Sequence, residues 1–361
     1  MRLLINAAFD TRTTVGITQY IRHMVEELSQ LCEVTVLTPD PSLLATRCET
    51  IKVPDFTRYS TRRTAWAMTA LTGYCTRRYD ALLSVTPIVP PLATIPTVAT
   101  VHDLIPLIMN RSHRGRDKAT FWLGLQTLRW ANAVICDSKN TRLDLLRLRL
   151  LPPKRIHVVT PGQGLLPSVD SDCSGNSSVT GILQPYILYV GGHPPHKNLA
   201  RLLTAFSRLK FPEVTRLVIV GWGTSQHIAA TKAVIAKLGL TDRVVLLSDV
   251  PDQELSKLYR RCTLFVFPSL YEGFGLPVLE ALAHGAPVVC SRAASIPEVA
   301  GSAALYFNPL STRDIIQTIQ TVIDNTQLAD QLRRLGPNQA NRFSWALTAS
   351  KIYAIVKSVT E

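Results

Sequence analysis

The chain has 361 residues, of which 46% are hydrophobic and 18% charged, a composition that excludes a disordered chain and leaves room for two domains. Its 39 lysines and arginines outnumber 26 acidic residues, and most of the excess lies before Gly162. With no zinc module, aromatic RNA-binding string or recognition helix, nucleic-acid binding is disfavoured. The basic half therefore indicates phosphate ligands, an anionic membrane surface or a solvated surface tuned for solubility.

The expected location is the cytoplasm, with the protein either soluble or peripheral on the inner face of the membrane. No apolar run reaches the ~20 residues of a transmembrane helix. The seven cysteines are widely spaced and form no C-x-x-C pair, which is typical of reduced thiols and argues against a structural zinc site.

Short apolar runs alternate with helical patterns in the first part of the chain. Residues 2–9 predict a strand, Gly16 a turn and Gln19–Leu31 a helix. Further strands are predicted at Cys32–Thr38, Ala81–Val85, Thr97–Val101, Ala133–Cys136 and His157–Val159, and a helix at Thr120–Ala131. This alternation predicts a parallel sheet with helices on both faces, in a domain covering residues 1–165.

A stretch rich in Ser, Gly, Asp and Pro interrupts the pattern and predicts a linker at residues 166–185. Strands then resume in a second domain, residues 186–342, at Tyr186–Val190, Leu217–Val220, Val244–Leu247, Leu264–Phe267 and Pro287–Cys290. A last helix, within residues 343–361, is expected to pack back on the N-terminal domain. The predicted fold class is α/β, with two Rossmann-like, doubly wound domains that bind ligands in a cleft beyond the carboxyl ends of their strands.

One strand-to-helix connection has the features of an anion site. A strand ends at Phe267, two glycines follow, and Pro277 is placed to begin a helix, so the N–H groups of Gly273–Leu276 lie at its N-terminus. Glu272 and Glu280 flank this position, and carboxylates accept hydrogen bonds from sugar hydroxyls. The alternative interpretation is an ordinary loop acid and an acid stabilised by the helix dipole.

A second connection, after the strand ending at Val190, places Lys197 where a Gly/Pro loop enters a helix. An ammonium group there can reach a diphosphate. The Walker pattern is absent, which disfavours a P-loop ATPase or kinase. The string Gly221-Trp222-Gly223 is part of a dinucleotide fingerprint but lacks its third glycine.

These strings resemble retaining glycosyltransferase family four, the group 1 glycosyltransferases with the two-domain GT-B fold. The family's E-x7-E signature corresponds to Glu272 and Glu280, within Pro268–Ala281, which matches P-S-x-x-E-G-F-G-L-P-x-L-E-A almost letter for letter. Family-like strings also occur at Thr100–Leu104, Tyr189–Leu199 and Ala286–Gly301. The similarity extends over roughly residues 1–345.

The resemblance implies a role for each matching residue. Lys197 would pair with the donor diphosphate, Glu272 would hold the transferred sugar and Glu280 the ribose. Residues 273–276 would contact sugar and phosphate through their amides, and His102 would face the donor sugar. The expected binding residues are therefore Gly16 in the loop over the phosphates, Gly192 after the strand, Val250 at the base, and Gly273, Phe274, Gly275, Leu276 and Glu280.

The implied reaction is retaining, metal-independent transfer of a hexose from a nucleotide sugar to a glycan or lipid-linked acceptor. Retention in this family is thought to occur on one face of the sugar, so no nucleophile is assigned. Mannose is the favoured sugar, with GDP-mannose ahead of UDP-sugars. His102 has three open interpretations: a general base, a sugar-binding group, or a structural histidine beside Asp103.

Two departures from the family pattern affect phosphate binding. The first loop reads Val15-Gly16 where many members have two glycines, and Gly192-His193 stands where many have an arginine. A second diphosphate cation is then missing, or His193 or another basic residue replaces it. The rival functions are a GT-B epimerase or phosphorylase and a catalytically inactive sugar-nucleotide-binding subunit.

Residues Arg58–Arg78 contain five arginines and no acid, interleaved with apolar residues such as Trp66, Leu71 and Tyr74. The pattern is consistent with a basic amphipathic segment on an anionic membrane, and equally with a solvated helix that has one core face.

Overall fold

The computed structural model describes residues 1–8, 15–44, 48–56, 61–109, 115–165, 185–210 and 215–361. The chain divides into two compact units, one formed by Met1–Gly164 with Phe343–Glu361 and the other by Leu165–Arg342. The predicted linker, residues 166–185, lies outside the described residues except for its last position.

The first unit contains a parallel sheet with the strand order β3-β2-β1-β4-β5-β6-β7. Its strands are β1 (Arg2–Asn6), β2 (Glu33–Thr38), β3 (Glu49–Lys52), β4 (Ala81–Ser84), β5 (Thr97–Val101), β6 (Ala133–Cys136) and β7 (Ile156–Val158). The α-helices before the linker are α1 (Val15–Leu31), α2 (Thr61–Met68), α3 (Ile105–Ile108), α4 (Gly115–Gln126) and α5 (Lys139–Arg147). Every residue of the central strands β4, β5 and β6 is buried, as expected for a sheet covered on both faces.

The second unit contains another parallel sheet, with the order β10-β9-β8-β11-β12-β13. Its strands are β8 (Tyr186–Val190), β9 (Arg216–Val220), β10 (Val244–Leu247), β11 (Leu264–Phe267), β12 (Val288–Ser291) and β13 (Ala304–Phe307). Its helices are α6 (Leu199–Phe206), α7 (Ser225–Lys237), α8 (Asp252–Arg261), α9 (Leu276–Ala283), α10 (Ile296–Ala300), α11 (Thr312–Ile323) and α12 (Thr326–Ala340). The predicted fold class, two doubly wound α/β domains, is confirmed.

The last helix, α13 (Trp345–Thr360), belongs to the first unit. Its residues Trp345, Ile352 and Val356 join the apolar cluster between α1 and the sheet. The indole Nε1 of Trp345 also donates a hydrogen bond of 2.7 Å to the backbone oxygen of Gln163. These contacts attach the end of the chain to a sheet whose last strand lies more than 180 residues earlier in the sequence.

Several elements differ from the sequence prediction. Helix α1 begins at Val15 and not at Gln19, so Gly16 lies in its first turn and the predicted turn at Gly16 is wrong. The sequence prediction includes neither β3, which has a charged residue at each end, nor β13, an apolar run of four residues that its pattern alone does not distinguish from part of a helix. All six cysteines in the described part of the chain have free thiols.

Candidate active site

The candidate donor-binding residues follow the carboxyl ends of three parallel strands in the second sheet. Gly192 follows β8, Glu272 follows β11 and Val250 follows β10. Because these strands are parallel, their carboxyl ends meet at one edge, which is where open α/β sheets bind ligands. Val250 is half-buried and precedes the first turn of α8.

Lys197 and Glu272 form an ion pair at this edge. The Lys197 Nζ donates to Oε1 of Glu272 at 2.8 Å and to Oε2 at 3.0 Å. Their side chains are only 16% and 9% exposed, so water screens the pair weakly. The ammonium also lies 5.4 Å from the centre of the Phe267 ring. An ammonium group has three N–H donors, and one is left for a ligand after two bind Glu272.

Asn198 fixes the backbone next to Lys197. It adopts a left-handed conformation with φ of 62°, which asparagine tolerates better than most residues. Its Nδ2 donates to the backbone oxygens of Pro268 at 3.0 Å and Pro309 at 2.8 Å. These bonds join the loop after β8 to the loops after β11 and β13, and so hold Lys197 beside Glu272.

The turn into α9 is held by a buried hydroxyl. Gly275, with φ of 115°, caps the helix, and Pro277 is the second residue of its first turn. The Ser295 Oγ lies 2.9 Å from the backbone oxygen of Glu272 and 2.8 Å from that of Phe274. The N–H groups in the first turn of a helix have no intrahelical acceptor, so this end of α9 favours an anion.

Glu280 lies in α9 as a buried carboxyl group. Burial raises its pKa to about 7, although the hydroxyl of Tyr259 opposes the increase by donating to Oε2 at 2.9 Å. Tyr259 is itself fully buried and stacks on the His284 ring, with centroids 5.3 Å apart. Glu280 therefore changes charge near neutral pH while Tyr259 fixes its orientation.

A close backbone approach shapes the loop that contains Gly192. A Cβ atom on Gly221 would overlap the carbonyl oxygen of Gly191, so the loops after β8 and β9 pack backbone against backbone. The Tyr189 hydroxyl donates to the backbone oxygen of Gly192 at 2.9 Å. The glycine at position 221 is thus needed for packing between two loops.

His193 does not supply a second cation for a diphosphate. Its Nδ1 lies 2.9 Å from the Thr231 Oγ1, and burial, followed by the charge of His227, lowers its pKa below the usual value of 6.5. The imidazole is therefore neutral at physiological pH. Of the three alternatives for the departure at positions 192–193, replacement by His193 is disfavoured, while a missing cation and replacement by another basic residue stay open.

In the N-terminal unit, His102 pairs with Asp137. The His102 Nδ1 lies 2.7 Å from the Asp137 Oδ2, and the His102 Nε2 lies 3.1 Å from the backbone oxygen of Val85. Asp103 instead accepts a hydrogen bond of 2.9 Å from the backbone N–H of Ile105, at the start of α3. The side chain that contacts the His102 ring is therefore Asp137, and the adjacent Asp103 bonds to the backbone.

The basic segment Arg58–Arg78 does not present a free apolar face over its described part. Leu71 is fully buried, and the Trp66 ring packs 5.5 Å from Phe56 and 6.3 Å from Tyr74. Arg58 lies outside the described residues.

No helix in the described part of the chain combines the length and the apolar composition that a membrane span requires. Within the same described ranges, no group of three or more metal-ligating side chains occurs.

The sequence interpretation did not single out four side chains that hold the candidate residues. They are Asp137, Tyr259, Ser295 and Asn198. Asn198 stood inside a family-like string, which was a usable signal. Ser295 also lies in such a string, within Ala286–Gly301, but it, Asp137 and Tyr259 are distant in sequence from the groups they contact, and only the fold brings them into range.

Comparison with known proteins shows the family to which the chain is similar. Residues 181–339 match the family described as glycosyl transferases group 1, and residues 15–163 match glycosyltransferase family 4. The chain is 29% identical to O-antigen chain mannosyltransferase B of Escherichia coli, covering 79% of this chain and 74% of that protein. It is 30% identical to the MMP alpha-(1->4)-mannosyltransferase of Mycolicibacterium hassiacum, covering 72% of this chain and 64% of the relative.

The fold is also found in solved structures. The Anabaena protein HepE in complex with UDP-glucose superimposes with a TM-score of 0.80 at 20% identity, over 99% of this chain and all of the other. At this identity the likeness concerns the fold alone. Taken with the two family matches and the E-x7-E pair, the comparisons identify the chain as an enzyme of the group 1 glycosyltransferases, in glycosyltransferase family 4.

Proposed function

We propose that this enzyme transfers mannose, with retention of configuration, from a nucleotide sugar to a glycan or lipid-linked acceptor. The observation that carries the proposal is the ion pair between Lys197 and Glu272. The pair lies at the carboxyl edge of the second sheet, and Glu272 stands four residues before the first residue of α9. This arrangement combines a cation, a helix N-terminus and a hydroxyl-binding carboxylate.

The proposed catalytic contribution is electrostatic. When the bond between the sugar and its phosphate breaks, the diphosphate gains negative charge, and prearranged donors at that position stabilise the transition state. Lys197 would donate its remaining N–H to the diphosphate, and the amides of Gly273–Leu276 would bind phosphate and sugar. Glu272 would accept hydrogen bonds from the transferred sugar, and Glu280 from the ribose.

Support for mannose comes from the relatives, since both of those compared above are named mannosyltransferases. GDP-mannose is therefore the proposed donor, and the HepE complex makes UDP-glucose the first competitor to test. A thermal-shift panel of nucleotide sugars distinguishes them, because a ligand that binds only the folded protein raises its melting temperature. A larger shift with UDP-glucose than with GDP-mannose would contradict the donor assignment.

Two further parts of the proposal concern stereochemistry and metal. We expect an α-linked product from an α-linked donor, formed on one face of the sugar, which proton NMR of the anomeric signal measures. We also expect transfer to continue in EDTA, because Lys197 and the α9 N-terminus would supply the charge that a metal ion supplies elsewhere. An inverted product or loss of transfer in EDTA would each reject the corresponding part.

The experiment that tests the function as a whole follows nucleoside diphosphate release with and without an acceptor glycan. A transferase releases diphosphate in step with glycan extension. An epimerase would convert the nucleotide sugar without any acceptor, and an inactive subunit would bind the donor without consuming it.

A peripheral location at the inner face of the membrane is a separate part of the proposal. Vesicle sedimentation at low salt would test it, and no binding to anionic vesicles would reject it.

A further inference from the structure

Arg201 takes part in a hydrogen-bond network beside Lys197. It is half-buried in the first turn of α6. Its Nη1 donates to the Oδ1 of Asn198 at 2.8 Å and to the backbone oxygen of Pro309 at 3.0 Å. The same oxygen of Pro309 also accepts a hydrogen bond of 2.8 Å from the Asn198 Nδ2. The guanidinium, the amide and this carbonyl are therefore each bonded to the other two.

The chemistry of these groups fixes the orientation of the Asn198 amide. A guanidinium only donates hydrogen bonds, so the amide atom that faces Arg201 must be the oxygen. The Nδ2 is then directed at the backbone oxygens of Pro268 and Pro309, which only accept. A rotated amide would turn its nitrogen toward the guanidinium and its oxygen toward the two carbonyls. Arg201 thus selects the orientation in which Asn198 links the loops around it.

The carbonyl of Pro309 is a fixed point for this network. Pro309 lies between β13 and α11, in a turn that has its own hydrogen bonds. The N–H of Leu310 donates to the Asn308 Oδ1 at 3.0 Å, and the N–H of Asn308 donates to the Asp314 Oδ2 at 2.6 Å. Because the turn is held in this way, Arg201 can anchor the start of α6 to it.

The backbone at Asn198 depends on these bonds. Its left-handed φ of 62° is unfavourable for most residues, and a side chain keeps such a conformation only where its surroundings hold it. Asn198 is 8% exposed, so water would compensate poorly for a lost hydrogen bond. Since Lys197 is the preceding residue, the direction of its side chain follows from the conformation that the network imposes.

We infer that Arg201 is a positioning residue for Lys197. By orienting the Asn198 amide, it holds the ammonium beside Glu272, where the proposed function requires it. The guanidinium acts through Asn198 and not through a contact with the nucleotide. The inference rests on the proposed function for its nucleotide-binding test, whereas its labelling test depends only on the position of Lys197.

The direct test measures how fast an amine-acetylating reagent modifies Lys197 in the full-length protein, with mass spectrometry as the readout. Acetylation should be slow in wild type, because the Nζ is bonded to Glu272 and the side chain is 16% exposed. Arg201→Met keeps a long side chain without its donors, and local opening should then raise the rate at Lys197 about 5-fold or more. Lys357, which is more than half exposed, should react equally in both proteins. An unchanged rate at Lys197 would overturn the inference.

Two further variants separate hydrogen bonding from packing. Arg208→Met makes the same change at an exposed arginine beyond the end of α6, and should leave Lys197 acetylation unchanged. Arg201→Lys restores N–H donors, and should return the rate to within about 2-fold of wild type. If Arg201→Lys reacts as fast as Arg201→Met, packing alone holds the loop and the inference fails.

The functional test is a double-mutant cycle in which GDP binding is measured by calorimetry. Arg201→Met should weaken binding about 10-fold when Lys197 is present, but less than about 2-fold in a Lys197→Met background, where the positioned cation is already gone. Equal losses in the two backgrounds would show that Arg201 acts independently of Lys197, and would reject the inference.

Failure of the proposed donor is distinguishable from failure of this inference. If wild type does not bind GDP, the donor assignment fails, and the acetylation rates still decide the role of Arg201. If Arg201→Met does not fold, as judged by its thermal transition, Arg201→Gln takes its place in both experiments, because its shorter side chain cannot reach both acceptors.

Discussion

The ammonium of Lys197 bonds to both carboxylate oxygens of Glu272, at 2.8 and 3.0 Å, across 75 residues of sequence. Each group neutralises the other in a site that is nearly closed to water. A buried pair of this kind contributes little net stability, but removal of one partner leaves an uncompensated charge. The pair therefore couples the proposed catalytic charge to the stability of the second unit.

Lys197→Ala should reduce transfer by about 100-fold or more, because the leaving diphosphate loses its cation. The variant should also lose about 2–4 kcal/mol of unfolding free energy, since Glu272 is left buried without a partner. Steady-state kinetics and urea denaturation measure the two effects. In Lys197→Met with Glu272→Gln, stability should return while activity does not.

The matched control is Lys357→Ala. Its partner is Glu361, at 3.5 Å, and both side chains are more than half exposed. An ion pair in water contributes at most about 1 kcal/mol, so neither stability nor transfer should change measurably. Normal transfer by Lys197→Ala would contradict its proposed role.

Glu280→Gln should stabilise the unliganded protein at high pH. The folded pKa of Glu280 is about 7, above its ordinary value of 4.5, so the folded state binds the proton more tightly than the unfolded chain. The contribution of this group to stability is therefore greatest at low pH and decreases as pH rises from 4.5 to 7. Glutamine removes that decrease, and we expect a gain of about 1–3 kcal/mol at pH 8, with little change at pH 4.

Donor binding by Glu280→Gln should weaken about 10-fold at pH 8, because an amide accepts hydrogen bonds from ribose hydroxyls less strongly than a carboxylate. Calorimetric titration with nucleoside diphosphate measures this. The exposed Glu33, in the other unit, provides the control Glu33→Gln, which should alter neither property. A destabilised Glu280→Gln at pH 8 would show that its carboxylate is compensated in the folded protein.

Tyr259→Phe should weaken donor binding in a pH-dependent way. The hydroxyl that it removes opposes the rise of the Glu280 pKa, so that pKa should move higher. We expect donor affinity to fall about 3- to 10-fold at pH 7 and less at pH 9, where the carboxyl is ionised in both proteins. An equal loss of donor affinity at pH 7 and pH 9 would indicate a packing defect. The control is Tyr353→Phe in α13, which removes a tyrosine hydroxyl outside the site.

Gly221→Ala should destabilise the second unit by about 2 kcal/mol or more, because the added methyl would overlap the carbonyl of Gly191. Displacement of that loop should also weaken nucleotide binding. Gly73→Ala is the control, since no atom lies within 4 Å of the position of its Cβ. Urea denaturation and nucleotide titration of the two variants measure the difference, and wild-type behaviour of Gly221→Ala would show that the loops can separate without cost.

Strongly apolar strands were the most predictable part of the fold. Strands β5, β6, β8, β10 and β11 have the predicted bounds, because each is a run of apolar and β-branched residues. Strand β13 is also apolar, but so short an apolar run cannot be told from part of a buried helix by its pattern alone. Likewise, α12 was absent from the prediction because Gly336 and Pro337 inside it are read as signals of a turn.

Within the site, motifs indicated which side chains to examine but not how they pair. The string around Glu272 and the position of Lys197 pointed to the same ligand, yet their direct ion pair follows from the adjacency of β8 and β11. For His102 the neighbouring Asp103 was considered, while the actual partner, Asp137, follows a strand that lies beside β5 only in the folded sheet. Sequence distance carries no information on such contacts.

Helix α13 has a consequence for the order in which the protein folds during synthesis. The ribosome makes all of residues 165–342 before it makes Trp345, Ile352 and Val356, which cover one side of the first sheet. The second unit is continuous and can close as soon as it emerges, whereas the first, although translated earlier, must wait with an apolar surface uncovered. A chaperone would therefore be most needed in the interval after the N-terminal half has been made and before α13 has been made.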